Sequence, residues 1–349
     1  MVMSVNTNVL SLTAQRNMMD TQSALGNSIQ RLSTGLRINS AKDDAAGLAI
    51  AERFTSSIRG GAVAQRNAND GISFAQTAEG ALDVIGNNLQ RIRELAVQSL
   101  NDSNTEADRA AIDQEVQQLT AEVGRIAKNT TFNGRNILDG DLGTLNFQIG
   151  AERGQVLAVT GVDARASALG KTFGVVTSNN NAIDATIDYL DDAVFNGAPA
   201  DTDDFSINGV NISLAGMTTK EELVEAINAK LGDTGVQASI ESGKLVLADG
   251  SGSAPTLGGN QFLLEAIGLD DGAGNPTYTE STDFRAVEDI SVGTRNASNS
   301  ALATLDGAID MVTSMRADLG AIQNRFENVI EVAGVQNENL SAARSRIQD

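Results

Sequence analysis

A chain of 349 residues with 41% hydrophobic content is long enough for two or three buried cores. Its 3% aromatic content and lack of Trp argue against one large globular core and for long, thin helical packing. With no Cys and no His, disulfides, thiolate nucleophiles, Cys-ligated metals and the commonest acid–base group are excluded, and a net charge of −20 disfavours nucleic acid and anionic membranes as partners.

Residues from about 4 to 38 place Met18, Leu25, Ile29, Leu32 and Leu36 mostly at alternating three- and four-residue steps. The spacing predicts a helix with one narrow apolar face that needs a partner helix. Gly35 and Asn39-Ser40 interrupt it, and Ser40, Asp43 and Asp44 supply capping groups for the next helix. That second helix, from about 43 to 100, carries Leu82, Ile85, Leu89, Ile92 and Ala96 at coiled-coil spacing. Gly60-Gly61 is expected to loosen it midway. Gln90, Arg91 and Leu95 sit near its end, and positions four apart such as 91 and 95 adjoin on one face. Asn101-Asp-Ser-Asn-Thr105 reads as a turn. A third helix from about 105 to 128 carries Glu115 and is expected to bury Ile112, Val116, Leu119, Val123 and Ile126.

After Asn129-Thr130 the period changes. Asn133-Gly134 and Asp139-Gly140 are turn dipeptides beside short β-type runs, and Leu145-Asn-Phe-Gln-Ile149 is the clearest strand. This hairpin region is expected to pack across the helices. In the middle of the chain, Asp204-Phe-Ser-Ile-Asn-Gly-Val-Asn-Ile-Ser-Leu214 has period-two apolar spacing broken at Asn208-Gly209, a strong hairpin signal. Thr218 to Leu231 follows as an amphipathic helix, with Thr218 and Glu221 in capping-box spacing. Gly235 to Ile240 and Lys244 to Ala248 give two more strands, completing a β-β-α-β-β unit expected to project as a separate domain. Near the far end Leu302, Leu305, Ile309, Val312, Leu319, Ile322, Phe326 and Ile330 mark a long helix from about 295 to 345. Two long helices with apolar stripes are best satisfied by packing on each other.

Charge is unevenly placed. Residues 176–284 hold 18 acidic and 3 basic residues, whereas 1–42 hold Arg16, Arg31, Arg37 and Lys42 against Asp20 alone. The acidic stretch reads as a solvated outer surface. Asp201-Thr-Asp-Asp204 and Asp270-Asp271-Gly-Ala-Gly274 offer oxygen ligands to a hard cation, but neither has calcium-loop spacing, so both read as turns and no metal site is assigned. The glycine-rich Asp249-Gly-Ser-Gly-Ser253 and Leu257-Gly-Gly259 lack the Lys-Ser/Thr of a phosphate cradle, so no cofactor is assigned. Paired carboxylates such as Asp191-Asp192 and Glu221-Glu222 point to different faces, and nothing joins nucleophile, base and orienting group; no enzyme activity or catalytic residue is expected. No apolar run reaches the ~18 residues that cross a bilayer, and the first residues carry no basic leader, so neither membrane insertion nor a cleaved signal is expected.

Five blocks stand in order in the first part of the chain: Asn6-Thr-Asn8, Arg31 to Phe54, Arg66-Asn-Ala-Asn-Asp-Gly-Ile72, Gln90-Arg-Ile-Arg-Glu-Leu-Ala-Val-Gln98 and Phe132-Asn-Gly-Arg-Asn-Ile-Leu-Asp-Gly140. With Arg316-Ala-Asp-Leu-Gly-Ala-Ile-Gln-Asn-Arg-Phe326 and Ser341-Ala-Ala-Arg-Ser-Arg-Ile-Gln-Asp349, they resemble the two ends of bacterial flagellin, the subunit of the flagellar filament. The resemblance implies an α+β fold. In it, a long antiparallel coiled-coil-like stem with a β-hairpin region carries the inserted β-rich domain. It divides the chain into a polymerisation helix (1–42), a helical core (43–175 and 285–349) and a variable outer domain (176–284).

The function so implied is self-assembly into the motility propeller after export, with the molecule secreted to the flagellum on the cell surface. Its partners would be further copies of itself, the export apparatus, the filament cap and the hook-junction proteins. Leu25, Ile29, Leu32 and Leu36 would form the polymerisation seam. Gln90, Arg91, Leu95 and Glu115 match a subunit-contact patch that vertebrate Toll-like receptor 5 also binds. The family pattern continues beyond Asp349 with a further amphipathic stretch, so the resemblance implies a shortened chain. A hook-filament junction protein shares the helical ends, and a cell-surface homologue acting as an adhesin or glycan-binding protein would use 176–284 as its binding module; both remain open alternatives at this point.

Overall fold

In the computed structural model, residues 9–178, 204–213, 220–241, 244–259, 264, 269 and 278–349 are described. Three helices open the chain: α1 (Val9–Thr34), α2 (Ala45–Ser99) and α3 (Glu106–Asn129). Short strands follow as β1 (Thr131–Phe132), β2 (Arg135–Asn136), β3 (Thr144–Gln148) and β4 (Val156–Thr160). The insert region comprises β5 (Gly170–Ser178), β6 (Asp204–Ile207), β7 (Val210–Ser213), α4 (Lys220–Ala229), β8 (Val236–Glu241), β9 (Lys244–Asp249), β10 (Leu257–Gly258) and β11 (Tyr278–Ala286). One long helix, α5 (Arg295–Gln348), ends the chain. The fold is the expected mixture of long helices and a small sheet-rich insert. Asn6-Thr-Asn8, the cap residue Thr218, Asp191-Asp192 and the acidic turns at 201–203 and 270–274 lie outside the described residues.

The chain forms two compact units: Met1–Ala75, Thr144–Val159 and Gly320–Asp349 make the first, and Gln76–Gly143 with Thr160–Leu319 makes the second. In the first unit α2 and α5 run antiparallel. Gln65 Nε2 donates to Ile330 O at 3.3 Å, and Arg344 Nη1 reaches Thr55 Oγ1 at 3.4 Å. The buried positions of α2 here include Gly61, Ala64, Ala68, Gly71 and Ala75, with Phe74 buried beside the last and Gly47 and Ala51 nearer the helix start. The steps from Gly61 to Ala75 alternate three and four, so these residues form a coiled-coil seam of small side chains. Close approach is the result. A Cβ on Gly71 would stand 2.4 Å from the Phe326 ring, one on Gly60 would stand 2.7 Å from Ala151, and one on Gly61 would stand 2.3 Å from Asn337 Oδ1.

Gly60-Gly61 therefore does not loosen α2, which runs unbroken through the pair. The two glycines instead make room for the β3–β4 connection and for α5. Phe147 of β3 sits between Phe74 and Phe326, with ring centroids at 6.1 and 5.4 Å, the latter edge-on as aromatic quadrupoles prefer. Asn67 Nδ2 donates to Gln148 O at 2.9 Å and fixes the strand along the helix. The expected packing of this hairpin across helices is realised in this way. At the other end of the first unit, Arg37 and Ile38 both donate their backbone N–H to Gln348 O, and Arg37 Nη2 donates to Ile347 O, so carbonyls of the last turn of α5 are satisfied from outside the helix.

In the second unit the same spacing continues with Ala78, Leu82, Ile85, Leu89, Ile92, Ala96 and Ser99, all buried. On α5 the buried Leu305, Val312 and Leu319 recur every seventh residue, while Leu302 and Ile309 are only half-buried. Ion pairs Arg93–Asp306 (2.7 Å) and Arg316–Asp83 (3.0 Å) flank the seam and join the two antiparallel helices. On α3 the buried residues are Val116, Thr120, Val123 and Ala127, a four-three-four stripe. The expected Ile112, Leu119 and Ile126 flank this stripe half-buried. The stripe is set by spacing and not by size, so a threonine and an alanine are buried in it ahead of the larger isoleucines.

The insert is built as the sequence implies, with an addition. Asn208 (φ 53°) and Gly209 (φ 80°) form the left-handed turn of the β6–β7 hairpin, and α4 with β8 and β9 follows. The hairpin β6–β7 joins β10 in one sheet, whereas β8 and β9 join β5 and β11 in the order β11-β5-β9-β8. Strands β5 and β11, nine residues each, have no counterpart in the sequence reading, and they span positions 176 and 284. Successive residues of β9 face opposite ways: Leu245 and Leu247 join Phe205, Ile212, Leu223 and Ile227 in one core, while Val246 and Ala248 join Phe173 and Val175 beside Ala303 of α5. A strand buried on both faces reads as a continuous apolar run, which Leu245-Val-Leu-Ala248 is.

Glycine-to-alanine replacement within α2 should divide by environment. Gly71→Ala forces a methyl into the fully buried Phe326 ring and should destabilise by about 1–3 kcal/mol. Gly80→Ala, with nothing within 4 Å of the new methyl, should stabilise by about 0.5–1 kcal/mol. Thermal unfolding followed by circular dichroism checks both signs, and a Gly71→Ala protein as stable as the parent would contradict the close approach.

Candidate subunit-contact surfaces

Two surfaces stand out, one apolar and one polar. No residue of α1 is buried, although the helix is 26 residues long. Leu25, Ile29 and Leu32 are 59%, 58% and 88% exposed, with Leu10, Met18 and Met19 also open to solvent; Leu36, just past the helix, is half-buried. The helix ends where expected: Gly35, at φ 72°, donates its N–H to Arg31 O in the left-handed stop that favours glycine. The following loop is organised by carboxylates. Asp43 Oδ2 accepts from Ser40 Oγ and from the N–H groups of Ser40 and Asn39, which hold it below the ordinary carboxylate range, in that order of effect. Asp44 Oδ1 accepts from the N–H groups of Ala46 and Gly47 and caps the start of α2.

The polar surface lies on α2 and α3 in the second unit. Arg91 Nη1 binds Glu94 at 3.0 Å, and its Nη2 and Nε bind Glu115 Oε1 at 3.0 and 3.3 Å. First Glu94 and then Glu115 hold the guanidinium above its ordinary range. The side chains of Arg91, Glu94 and Glu115 are 50%, 69% and 48% exposed, and Gln90 is exposed beside them. Leu95 is placed differently. At 2% exposure it lies in the core, a step beyond Ile92 on the inner side of α2, so only Gln90, Arg91 and Glu115 of the four sequence-derived residues present themselves at the surface.

Glu115 is positioned by the start of its helix. Thr105 accepts from Asp108 N, while Asp108 Oδ2 accepts from Thr105 N (3.0 Å) and Thr105 Oγ1 (2.7 Å), a reciprocal capping box. Sequence reasoning missed this box because the third position holds Asp in place of the usual Glu or Gln. Asp113 then ties α3 to the segment before α5 by accepting from Ser291 Oγ and Val292 N at 2.9 and 2.6 Å. Among the described residues there is no group of three or more carboxylates placed to hold a metal ion, and no helix is long and apolar enough to cross a membrane.

The chain's sequence is similar to known families over most of its length. Residues 5–142 match the bacterial flagellin N-terminal helical region, 302–349 the bacterial flagellin C-terminal helical region, and 195–251 the flagellin hook IN motif. Flagellin B of Vibrio anguillarum is 40% identical, across 100% of this chain and 90% of that protein. B-type flagellin of Pseudomonas aeruginosa is 33% identical, across 100% and 92%. The solved structure of FliC from Burkholderia pseudomallei is 25% identical with a TM-score of 0.45, covering 73% of this chain and 99% of that one.

The capping box makes a pH-dependent prediction. The folded Asp108 carboxyl is held below its ordinary value of 3.8 by the Thr105 hydroxyl and then by the Thr105 N–H, so its contribution is complete above that pH and is lost as pH falls through the lowered folded value. Thr105→Ala should lower the melting temperature by roughly 2–4 °C at neutral pH. The gap to the parent should narrow as pH falls below 3.8. Parallel melting curves across that range would contradict the role of the box.

Proposed function

We infer the working surfaces of this molecule from one premise: the chain belongs to the bacterial flagellin family and is a structural subunit of the flagellar filament. Its task is then mechanical. The observation that carries the reading is α1, a helix of 26 residues with no buried residue and an apolar stripe facing water. Exposed stripes of this kind are costly in a free molecule and favourable once neighbouring elements cover them, so association completes burial that the single chain leaves open. Leu25, Ile29, Leu32 and Leu36 form the polymerisation seam, and residues 1–42 form the segment that carries it.

The Gln90, Arg91 and Glu115 patch makes lateral contacts between subunits, with Leu95 holding α2 in place from beneath. Vertebrate Toll-like receptor 5 engages the same patch. Residues 43–175 and 285–349 act as the helical core, and 176–284 as the outer domain, carried on the strands β5 and β11. The molecule passes through the flagellar export apparatus, is placed beneath the filament cap, and follows the hook-junction proteins. Its location is the filament outside the cell. It acts by assembly and not as an enzyme.

Purified protein offered to filament seeds tests the reading. Ile29→Asp alters a side chain that is 58% exposed in the free chain, so stability should change by no more than about 0.5 kcal/mol while incorporation into sedimenting filaments is lost. Arg91→Ala breaks ion pairs that stand half-exposed to water, so the monomer's melting curve should hardly move, while the critical concentration should rise on the order of fivefold. Undiminished incorporation of Ile29→Asp, seen by sedimentation and negative-stain imaging, would contradict the seam.

A further inference from the structure

Two Asn-Gly turns in the described structure share one backbone conformation and differ in what holds the asparagine. Asn133 (φ 50°) and Asn208 (φ 53°) are each followed by a glycine in the left-handed region, and each closes a two-residue hairpin. Asn208 is fully engaged. Its Nδ2 donates to Thr234 O at 2.9 Å and to the buried Asp249 Oδ2 at 3.0 Å, while its Oδ1 accepts from Thr256 N and Oγ1 at 2.9 and 3.2 Å. The β6–β7 ladder that it closes has four residue pairs and is flanked by β10. Asn133 and Asn208 are both exposed, but Asn133 makes no hydrogen bond to another described residue through its amide and closes a ladder of two pairs, Thr131–Asn136 and Phe132–Arg135, that forms a sheet by itself. Gly134 has nothing within 4 Å of the place a side chain would occupy.

We propose that Asn133 is a site of spontaneous covalent modification, an asparagine that converts to aspartyl and isoaspartyl residues while Asn208, with the same neighbour, is protected by the fold. In the first step the Gly134 backbone nitrogen attacks Cγ of Asn133. A bond forms between that nitrogen and Cγ, the bond from Cγ to Nδ2 breaks, and Nδ2 leaves as ammonia carrying the proton given up by the Gly134 nitrogen. The cyclic imide is then opened by water at one of its two carbonyls. Opening at the main-chain carbonyl yields the β-linked isoaspartyl residue, and opening at Cγ yields ordinary aspartate. No oxidant or metal enters.

Reaching the attack geometry requires the Asn peptide to rotate out of the turn, so the rate follows the freedom of local opening. At Asn133 that opening breaks a two-pair ladder. At Asn208 it also breaks the four side-chain hydrogen bonds that tie the turn to Thr234, Asp249 and Thr256. The two products also differ in consequence. Aspartate is tolerated in the left-handed turn and adds a negative charge two residues from Arg135. The isoaspartyl form lengthens the backbone by one carbon and cannot keep the register Phe132–Arg135.

The test is peptide-resolved mass spectrometry of the folded protein during incubation in mildly alkaline buffer, following the mass gain from replacement of the amide by a hydroxyl and the chromatographic splitting of the two products. The peptide containing Asn133-Gly134 should accumulate product at least about tenfold faster than that containing Asn208-Gly209. In denaturant the two rates should converge, because the chemistry of the dipeptide is shared. Asn133→Gln, whose longer side chain closes its ring far less readily, should remove the signal from its peptide and leave that of Asn208 unchanged. Equal rates in the folded state, or a rate difference that persists unchanged in denaturant, would overturn the proposal. Resolution by peptide also separates both sites from Asn196-Gly197, which lies outside the described residues.

Discussion

The rest of the structure depends on an unbroken heptad seam on α2, buried at steps of three and four from Gly61 to Ser99. Such a stripe cannot be covered by its own helix, so each compact unit must supply a facing segment of α5. The two units solve this with different side chains. The seam of the first is made of Gly and Ala and gains its burial by letting Phe326, Phe147 and Ala151 come close, whereas the seam of the second has Leu82, Ile85, Leu89 and Ile92 at its centre, with Leu305, Val312 and Leu319 buried on α5. Buried apolar area is worth about 25 cal/mol per Å² whichever side supplies it, so a ring on a glycine and an isoleucine on a leucine are equivalent ways to close the seam. The first way also fixes position along the helix, since the ring enters only where the glycine is.

The same requirement explains why the insert does not hang from the stem by loops. Strands β5 and β11 lead into and out of it, and β9 pairs with β5, so the four-stranded sheet has Phe173, Val175, Val246 and Ala248 on the face toward α5 and a second core on the other. Polar groups secure this mounting. Gln237 Nε2 donates to Asn296 O, Arg285 Nη1 donates to Ser300 Oγ, and the Arg285 guanidinium lies 5.1 Å over the Phe173 ring. Against this, α1 buries nothing. Among the described long helices, α2, α3 and α5 thus have buried stripes, whereas the stripe of α1 stands exposed.

What was legible in the sequence was whatever large apolar residues or turn dipeptides announced. Leu82 to Ala96, the long helix over 295–345, both Asn-Gly hairpins and the β-β-α-β-β order all stand in the structure. The alanine and glycine half of the seam was not legible, because small residues carry little hydrophobic signal although they are fully buried; Gly60-Gly61 then looked like a weakness when it is a contact. On α3 the stripe runs through Thr120 and Ala127, so ranking residues by size picked the flanking isoleucines. Strands β5 and β11 escaped because they pair with each other across more than 90 positions, a contact that no local period records. Leu95 stands four residues from Arg91, yet four residues turn a helix by about 400°, and that 40° offset at the margin of the seam takes the side chain from the surface to the core. The polymerisation and contact residues themselves were named by resemblance, and their roles rest on assembly, which a single chain does not display.

Backbone amide hydrogen exchange on the free chain tests the account most directly, because it reads the cost of opening each helix separately. The account predicts that amides of α2 from 61 to 99 and of α5 from 305 to 333 exchange only through large-scale unfolding, while those of α1 from 9 to 34 exchange orders of magnitude faster despite belonging to a helix of 26 residues. Protection of α1 equal to that of α2 would contradict it, since a helix that buries nothing would then owe its stability to something other than a covered apolar seam.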